Sequence, residues 1–167
     1  LNLLRANGAR LHVFREHYNE VTDILKNFRD RDAYSFNLSQ TLERLEEDKI
    51  SSVEVDMEIN ELSYNLNKLG IDTVDTEEYQ EKSSYWNEDE FIDYKGLKEC
   101  IVKEIPSYSR SQRMLTNDVD AIASICLKRH GIRVESIELC KAIFVTTNNK
   151  LAKKSNMFLR YNQYQLY

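Results

Sequence analysis

Asp118 and Asp120 stand two residues apart in the run Asn117-Asp118-Val119-Asp120-Ala121-Ile122-Ala123-Ser124-Ile125, where acids open what reads as a helix. Further on, Ile143-Phe144-Val145-Thr146-Thr147-Asn148-Asn149-Lys150-Leu151 reads as a buried strand that ends in small polar residues. In open parallel sheets ligands gather at the carboxyl ends of strands, so Thr146 to Asn149 falls where a site belongs. Carboxylates that converge at such a point suit Mg²⁺ or Mn²⁺, hard ions that take oxygen ligands and water. Such ions activate a water and stabilise phosphoryl oxygens during in-line displacement. Asn148 would hold a metal-bound water or a phosphate without adding negative charge. Thr146 and Thr147 would hydrogen-bond a ligating carboxylate or the phosphate.

Positions 118 and 120 lie about 200° apart around a regular helix, at 3.6 residues per turn. Both acids can serve one site only if Asp118 is at the helix N-cap or before it, and Asn117 and Asp118 are both good capping types. Plainer roles stand beside the chemical ones. Asp118 is read equally as a helix cap, Asp120 as a first-turn acid that complements the helix dipole, and Asn148-Asn149 as a turn.

These segments resemble the PIN domain, a family of metal-dependent ribonucleases. Asp120-Ala121-Ile122-Ala123 is similar to the run that begins one family helix. Thr146-Thr147-Asn148 is similar to the Thr-any-Asp that ends a family strand, with Asn148 in place of the Asp. Gly8-Ala9-Arg10-Leu11-His12-Val13-Phe14, followed by Glu20-Val21, resembles the strand and helix that carry the family's second acid. The resemblance covers roughly residues 1–30 and 110–155. It implies an α/β fold with a small parallel sheet flanked by helices, a PIN-like three-layer arrangement. It also implies Mg²⁺ or Mn²⁺ held by Glu20, Asp120 and Asp118, with Asn148 completing the catalytic set and Thr146, Thr147 and Lys150 on the substrate. The implied activity is metal-dependent hydrolysis of RNA. Two rivals stand beside it. One is a catalytically impaired PIN-like domain that acts as a regulatory or protein-binding module. The other is a purely helical interaction protein, with no cleft where Glu20, Asp120 and Asn148 converge.

The elements that must position these residues are legible from periodicity. Leu1 to Ala6 reads as the tail of a helix stopped near Gly8, and Leu11 to Phe14 as a strand. Glu16 to Phe28 follows as a helix with Tyr18, Val21, Ile24, Leu25 and Phe28 at helical spacing. Leu38 to Asp48 reads as another helix. Ser51 with Glu54 matches a capping box, opening a helix that runs to Leu69 and is stopped by Gly70. Ile71 to Val74 is extended. Thr76 to Lys82 reads as a short helix. Asn87 with Glu90 opens one that buries Phe91, Tyr94, Leu97 and Ile101 and is broken after Lys103 by Pro106. The acid-led helix runs from about Asn117 to His130, Lys141 to Thr147 is the strongest strand, and Leu151 to Lys154 is a short helix. Residues 1–167 read as one domain, with an acidic helical insertion at 36–104. The chain opens at Leu1 inside a helix, so the reading expects the first strand and first acid of the fold upstream.

At 167 residues and 41% hydrophobic composition the chain is long enough for a core and too apolar for disorder throughout. Its net charge of −5 hides an asymmetry. Gln40 to Glu104 carries 19 acids and 7 bases, while Ala121 to Tyr167 carries 2 acids and 8 bases. The basic end suits an anionic partner, RNA in this reading, and the acidic insertion suits a protein partner. Self-association into a homo-oligomer is a further expectation. Cys100, Cys126 and Cys140 form no CxxC pair and read as reduced thiols of a cytoplasmic protein. His12, His17 and His130 lack zinc-ligand spacing, and there is no Gly-rich phosphate loop or GxSxG elbow. No apolar run is long enough to cross a membrane. Tyr161, Tyr164 and Tyr167 read as packing for a terminal segment, with base stacking as the alternative.

Overall fold

The computed structural model describes residues 2–30, 50–76, 92–129 and 139–162. The expected helices at Leu38–Asp48 and Thr76–Lys82, the Asn87/Glu90 cap with Phe91, the stop at His130-Gly131, and Tyr164 and Tyr167 lie outside this set, apart from Thr76 itself. The chain divides into two compact units, Leu1–Val74 and Asp75–Tyr167. The result is a helix-rich chain with a small two-stranded parallel sheet, compatible with a small α/β fold.

The first unit opens with α1 (Asn2–Ala6), which ends as expected at Gly8 in the left-handed region, φ +81°. Strand β1 (Leu11–Phe14) leads without a loop into α2 (Arg15–Arg29). Helix α3 (Ser52–Lys68) follows, then β2 (Ile71–Val74). The two strands run parallel, with Leu11 opposite Ile71 and Phe14 opposite Val74. Parallel strands need a long crossover, and here that crossover contains α2 and α3, which pack on each other. The span read as an insertion, 36–104, therefore supplies a strand of this sheet. Arg29 on α2 reaches Asp56 on α3 at 2.8 Å. Both ends are partly solvated, so this pair contributes little to stability.

The start of α3 follows from four residues. The Ser51 hydroxyl accepts from the Glu54 N–H, and the Glu54 carboxylate accepts from the Ser51 N–H at 2.7 Å. The other end stops at Gly70, φ +66°, where a side chain would also meet the guanidinium of Arg5. The Ser51 backbone N–H, then its hydroxyl, hold the Glu54 carboxyl below its usual range. A lowered carboxyl pKa stabilises the folded form above the unfolded pKa and loses that effect as pH falls through the folded one. Amide exchange in the first turn of α3 is therefore expected to be pH-insensitive above about pH 5, after correction for intrinsic rates, and to accelerate below the usual glutamate pKa of about 4.3. In Glu54→Ala this transition should be missing. An unchanged transition there would assign it to another group.

The second unit is helical in its described part. Helix α4 (Tyr94–Glu104) is capped by Asp93, whose carboxylate accepts from the Gly96 N–H at 2.8 Å. Pro106 ends it as expected and starts a 3₁₀ turn, Pro106–Arg110. Helix α5 spans Gln112–Lys128 and α6 spans Asn149–Asn162. Their buried faces keep helical spacing: Leu97 and Ile101 on α4, Leu115, Val119, Ile122 and Cys126 on α5, and Leu151 and Phe158 on α6. These residues form one hydrophobic cluster.

Three elements differ from expectation. Helix α5 begins at Gln112, not near Asn117, and its cap is Ser111, whose hydroxyl accepts from the Met114 N–H. The reason is that Leu115 belongs to the same apolar stripe as Val119 and Ile122, so burial extends the helix past the capping-type residues at Asn117 and Asp118. Helix α6 runs to Asn162 rather than stopping at Lys154, because Ser155 and Phe158 continue the stripe begun by Leu151. Lys141–Thr147 joins no sheet among the described residues. Its Phe144 side chain packs against the helical cluster of the second unit.

Candidate functional site

Because α5 starts early, Asp118 and Asp120 both lie inside a regular helix and leave it in different directions. Asp118 accepts a hydrogen bond from the hydroxyl of Tyr108, on the 3₁₀ turn. Asp120 accepts one from the hydroxyl of Tyr94, at the start of α4, at 2.5 Å. Both carboxylates are half-buried, and Tyr108 is 4% exposed. A buried tyrosine hydroxyl nearly always takes a partner, and here each phenol takes a carboxylate.

The Tyr108 hydroxyl has a second neighbour. Asn148 donates to it through its side-chain amide at 3.2 Å, while the amide oxygen accepts from the Leu151 N–H at 3.0 Å and so caps α6. The Asn148 N–H in turn donates to the hydroxyl of Thr146 at 3.1 Å. A hydrogen-bonded chain thus runs from Thr146 through Asn148 and Tyr108 to Asp118. It joins the polar end of the Thr-Thr-Asn run to the acid-bearing helix through the Tyr108 phenol. Asn148 is a cap and a donor, not merely a turn. Thr147 and Lys150 are exposed beside it.

Of the remaining expected residues, Glu20 is half-buried on α2 and belongs to the first unit. Among the described residues no group of three or more His, Cys, Asp or Glu side chains is placed to hold a metal ion. Among the described residues, the hydrogen bonds around Asn148 bring together the Asp118 carboxylate, the Asn148 amide and the Tyr108 phenol, while Asp120 accepts from Tyr94. Tyr94 and Tyr108 are the residues that motif reasoning misses. Tyr94 is legible as a core position, but nothing in its spacing assigns its hydroxyl to an acid on another helix.

Helix α6 carries four bases, Lys150, Lys153, Lys154 and Arg160, and no acid. Lys154 pairs with Glu104 at the end of α4 and holds that carboxyl below its usual range. Lys150, Lys153 and Arg160 are exposed, as is Tyr161. No helix among the described residues is long and apolar enough to cross a membrane. No family model, curated protein or solved structure matches the chain.

Proposed function

We propose that this chain is a PIN-like, three-layer α/β module, cytoplasmic and with reduced thiols, that binds a partner and does not itself hydrolyse RNA. One observation carries the reading. Two of the three acids that the nuclease reading assigns to metal, Asp118 and Asp120, are each engaged by a different tyrosine hydroxyl on different sides of α5. Carboxylates arranged in this way fasten the 3₁₀ turn and α4 to α5. The acids of the family pattern then serve the fold, and recognition falls to the exposed surface around the start of α6.

The second reading is a metal-dependent ribonuclease that uses Glu20, Asp118, Asp120 and Asn148 with Mg²⁺ or Mn²⁺. The chain from Thr146 through Asn148 to Asp118 favours it, because it brings the two expected segments to one place beside Lys150. Calorimetric titration of the full chain with Mn²⁺ and cleavage of a fluorogenic single-stranded RNA separate the two. The expected result is no saturable Mn²⁺ binding at millimolar concentration and no cleavage. Mn²⁺-dependent cleavage that is lost in Asp120→Asn overturns the binding-module reading and establishes the ribonuclease.

A further inference from the structure

Helix α3 leaves Val53, Met57 and Tyr64 more than half exposed, at the spacing of one helical face. Glu54 and Glu61 are exposed on one flank of that stripe. At about 100° per residue they lie about 40–100° ahead of it around the helix. Helix α6 exposes Met157 and Tyr161, again on one face, with Lys153 and Arg160 exposed on a flank. Those bases lie about 40–100° behind their stripe. The two acids are seven residues apart, and so are the two bases, a step of about 10.5 Å along a helix axis. Over its whole length α3 carries four acids and one base, while α6 carries four bases and no acid.

We propose that α3 of one copy of this chain packs on α6 of a second copy, the two helices parallel, with Val53, Met57 and Tyr64 against Met157 and Tyr161. Parallel helices that face each other set the leading flank of one against the trailing flank of the other. Glu54 then meets Lys153 and Glu61 meets Arg160, because both pairs keep the same seven-residue step. In that register Met157 comes level with Glu58, beside Met57, and Tyr161 falls between the levels of Met57 and Tyr64. Charges beside an apolar seam set partner and orientation in paired helices. Here they choose the unlike pair. Two copies of α3 would bring acids together, and two copies of α6 would bring bases together. Of the two helices, only α6 offers α3 an apolar stripe with bases on the matching flank and at the matching step. A lone helix pair is small for an interface, so the association is weak and reversible.

The contact goes beyond the binding-module reading and uses none of Asp118, Asp120 and Asn148. Sedimentation velocity of the full chain from about 10 to 300 μM is expected to show a mean mass that rises with concentration, with Kd on the order of 100 μM. Glu61→Lys sets a base against Arg160, and Arg160→Glu sets an acid against Glu61, so each variant alone should associate about fivefold more weakly or worse. An equal mixture of the two should recover the association of the parent. In the mixture, α3 of the Glu61→Lys chain meets α6 of the Arg160→Glu chain, and the two unaltered helices meet each other. A contact inside one chain cannot produce that recovery. Both positions are exposed, so circular dichroism should match the parent. If a variant loses structure, the salt dependence of the parent decides, with association weakening between about 50 and 500 mM salt. The proposal is overturned by a parent that stays monomeric, which leaves both faces to other partners. It is equally overturned by a folded single variant that associates as the parent does, by a mixture no heavier than its components, or by association that salt does not weaken. Those results leave the binding-module reading standing, whereas Mn²⁺-dependent RNA cleavage removes that reading and does not touch the contact.

Discussion

Tyr108→Phe is expected to destabilise the second unit by about 1.5–3 kcal/mol, the usual cost of losing a hydrogen bond to a charged group inside a protein. The substitution keeps the buried ring and removes one oxygen. That oxygen donates to Asp118 and accepts from the Asn148 amide. Thermal unfolding checks it, since a domain of this size shifts by roughly 4–8 °C per kcal/mol. The same experiment bears on function. Where Asp118 serves the fold, Asp118→Asn also lowers the melting temperature. The Tyr108→Phe/Asp118→Asn double variant then falls short of the sum by a coupling of about 0.5–3 kcal/mol. An acid kept for chemistry behaves in the opposite way, because active-site charges are commonly held at a cost to stability. A higher melting temperature in Asp118→Asn, or none of the expected loss in Tyr108→Phe, would move the balance to the ribonuclease.

What the sequence reveals here depends on how local each decision is. The capping box at Ser51 and Glu54, the stops at Gly8 and Gly70, and the break at Pro106 involve residues within one turn of each other, and each is found where its residue types put it. Strands β1 and β2 are legible as extended segments, but their pairing spans α2 and α3, and no residue in Leu11–Phe14 names Ile71–Val74 as its partner. The start of α5 misleads for a related reason. Asn117 and Asp118 have the side chains of caps, yet the helix begins where Leu115 can still be buried, a tertiary condition that overrides local preference. The site is half legible in the same sense. Thr146, Asn148 and Asp118 are drawn together as the family pattern implies, while the phenol that joins them comes from a turn whose conformation Pro106 sets. Lys141–Thr147 has the β-branched, apolar composition of a strand but joins no sheet among the described residues, since pairing depends on neighbours that its own residues do not name.

Leu151→Ala is expected to have the largest effect of any single truncation around this site, about 2–5 kcal/mol. Leu151 is fully buried, in the cluster that holds Leu97 and Ile101 of α4 and Val119 of α5, so its loss leaves a cavity where α6 meets α4. Its position couples packing to polar order. The Leu151 N–H is the donor that Asn148 caps, so a loosened first turn of α6 also loosens the Asn148 amide that reaches Tyr108. Denaturant unfolding should show a lower midpoint with an unchanged slope. Amide exchange should accelerate along α6 more than along the middle of α5, whose stripe of Leu115, Val119, Ile122 and Cys126 remains. Lys153→Ala, on the exposed face of the same helix, is the internal control and should stay within about 0.5 kcal/mol of the parent. A loss below about 1 kcal/mol in Leu151→Ala would mean that α6 is not docked through this side chain. The hydrogen-bonded chain from Thr146 to Asp118 would then need another anchor, because an amide that holds a buried phenol at 3.2 Å depends on the helix end that presents it.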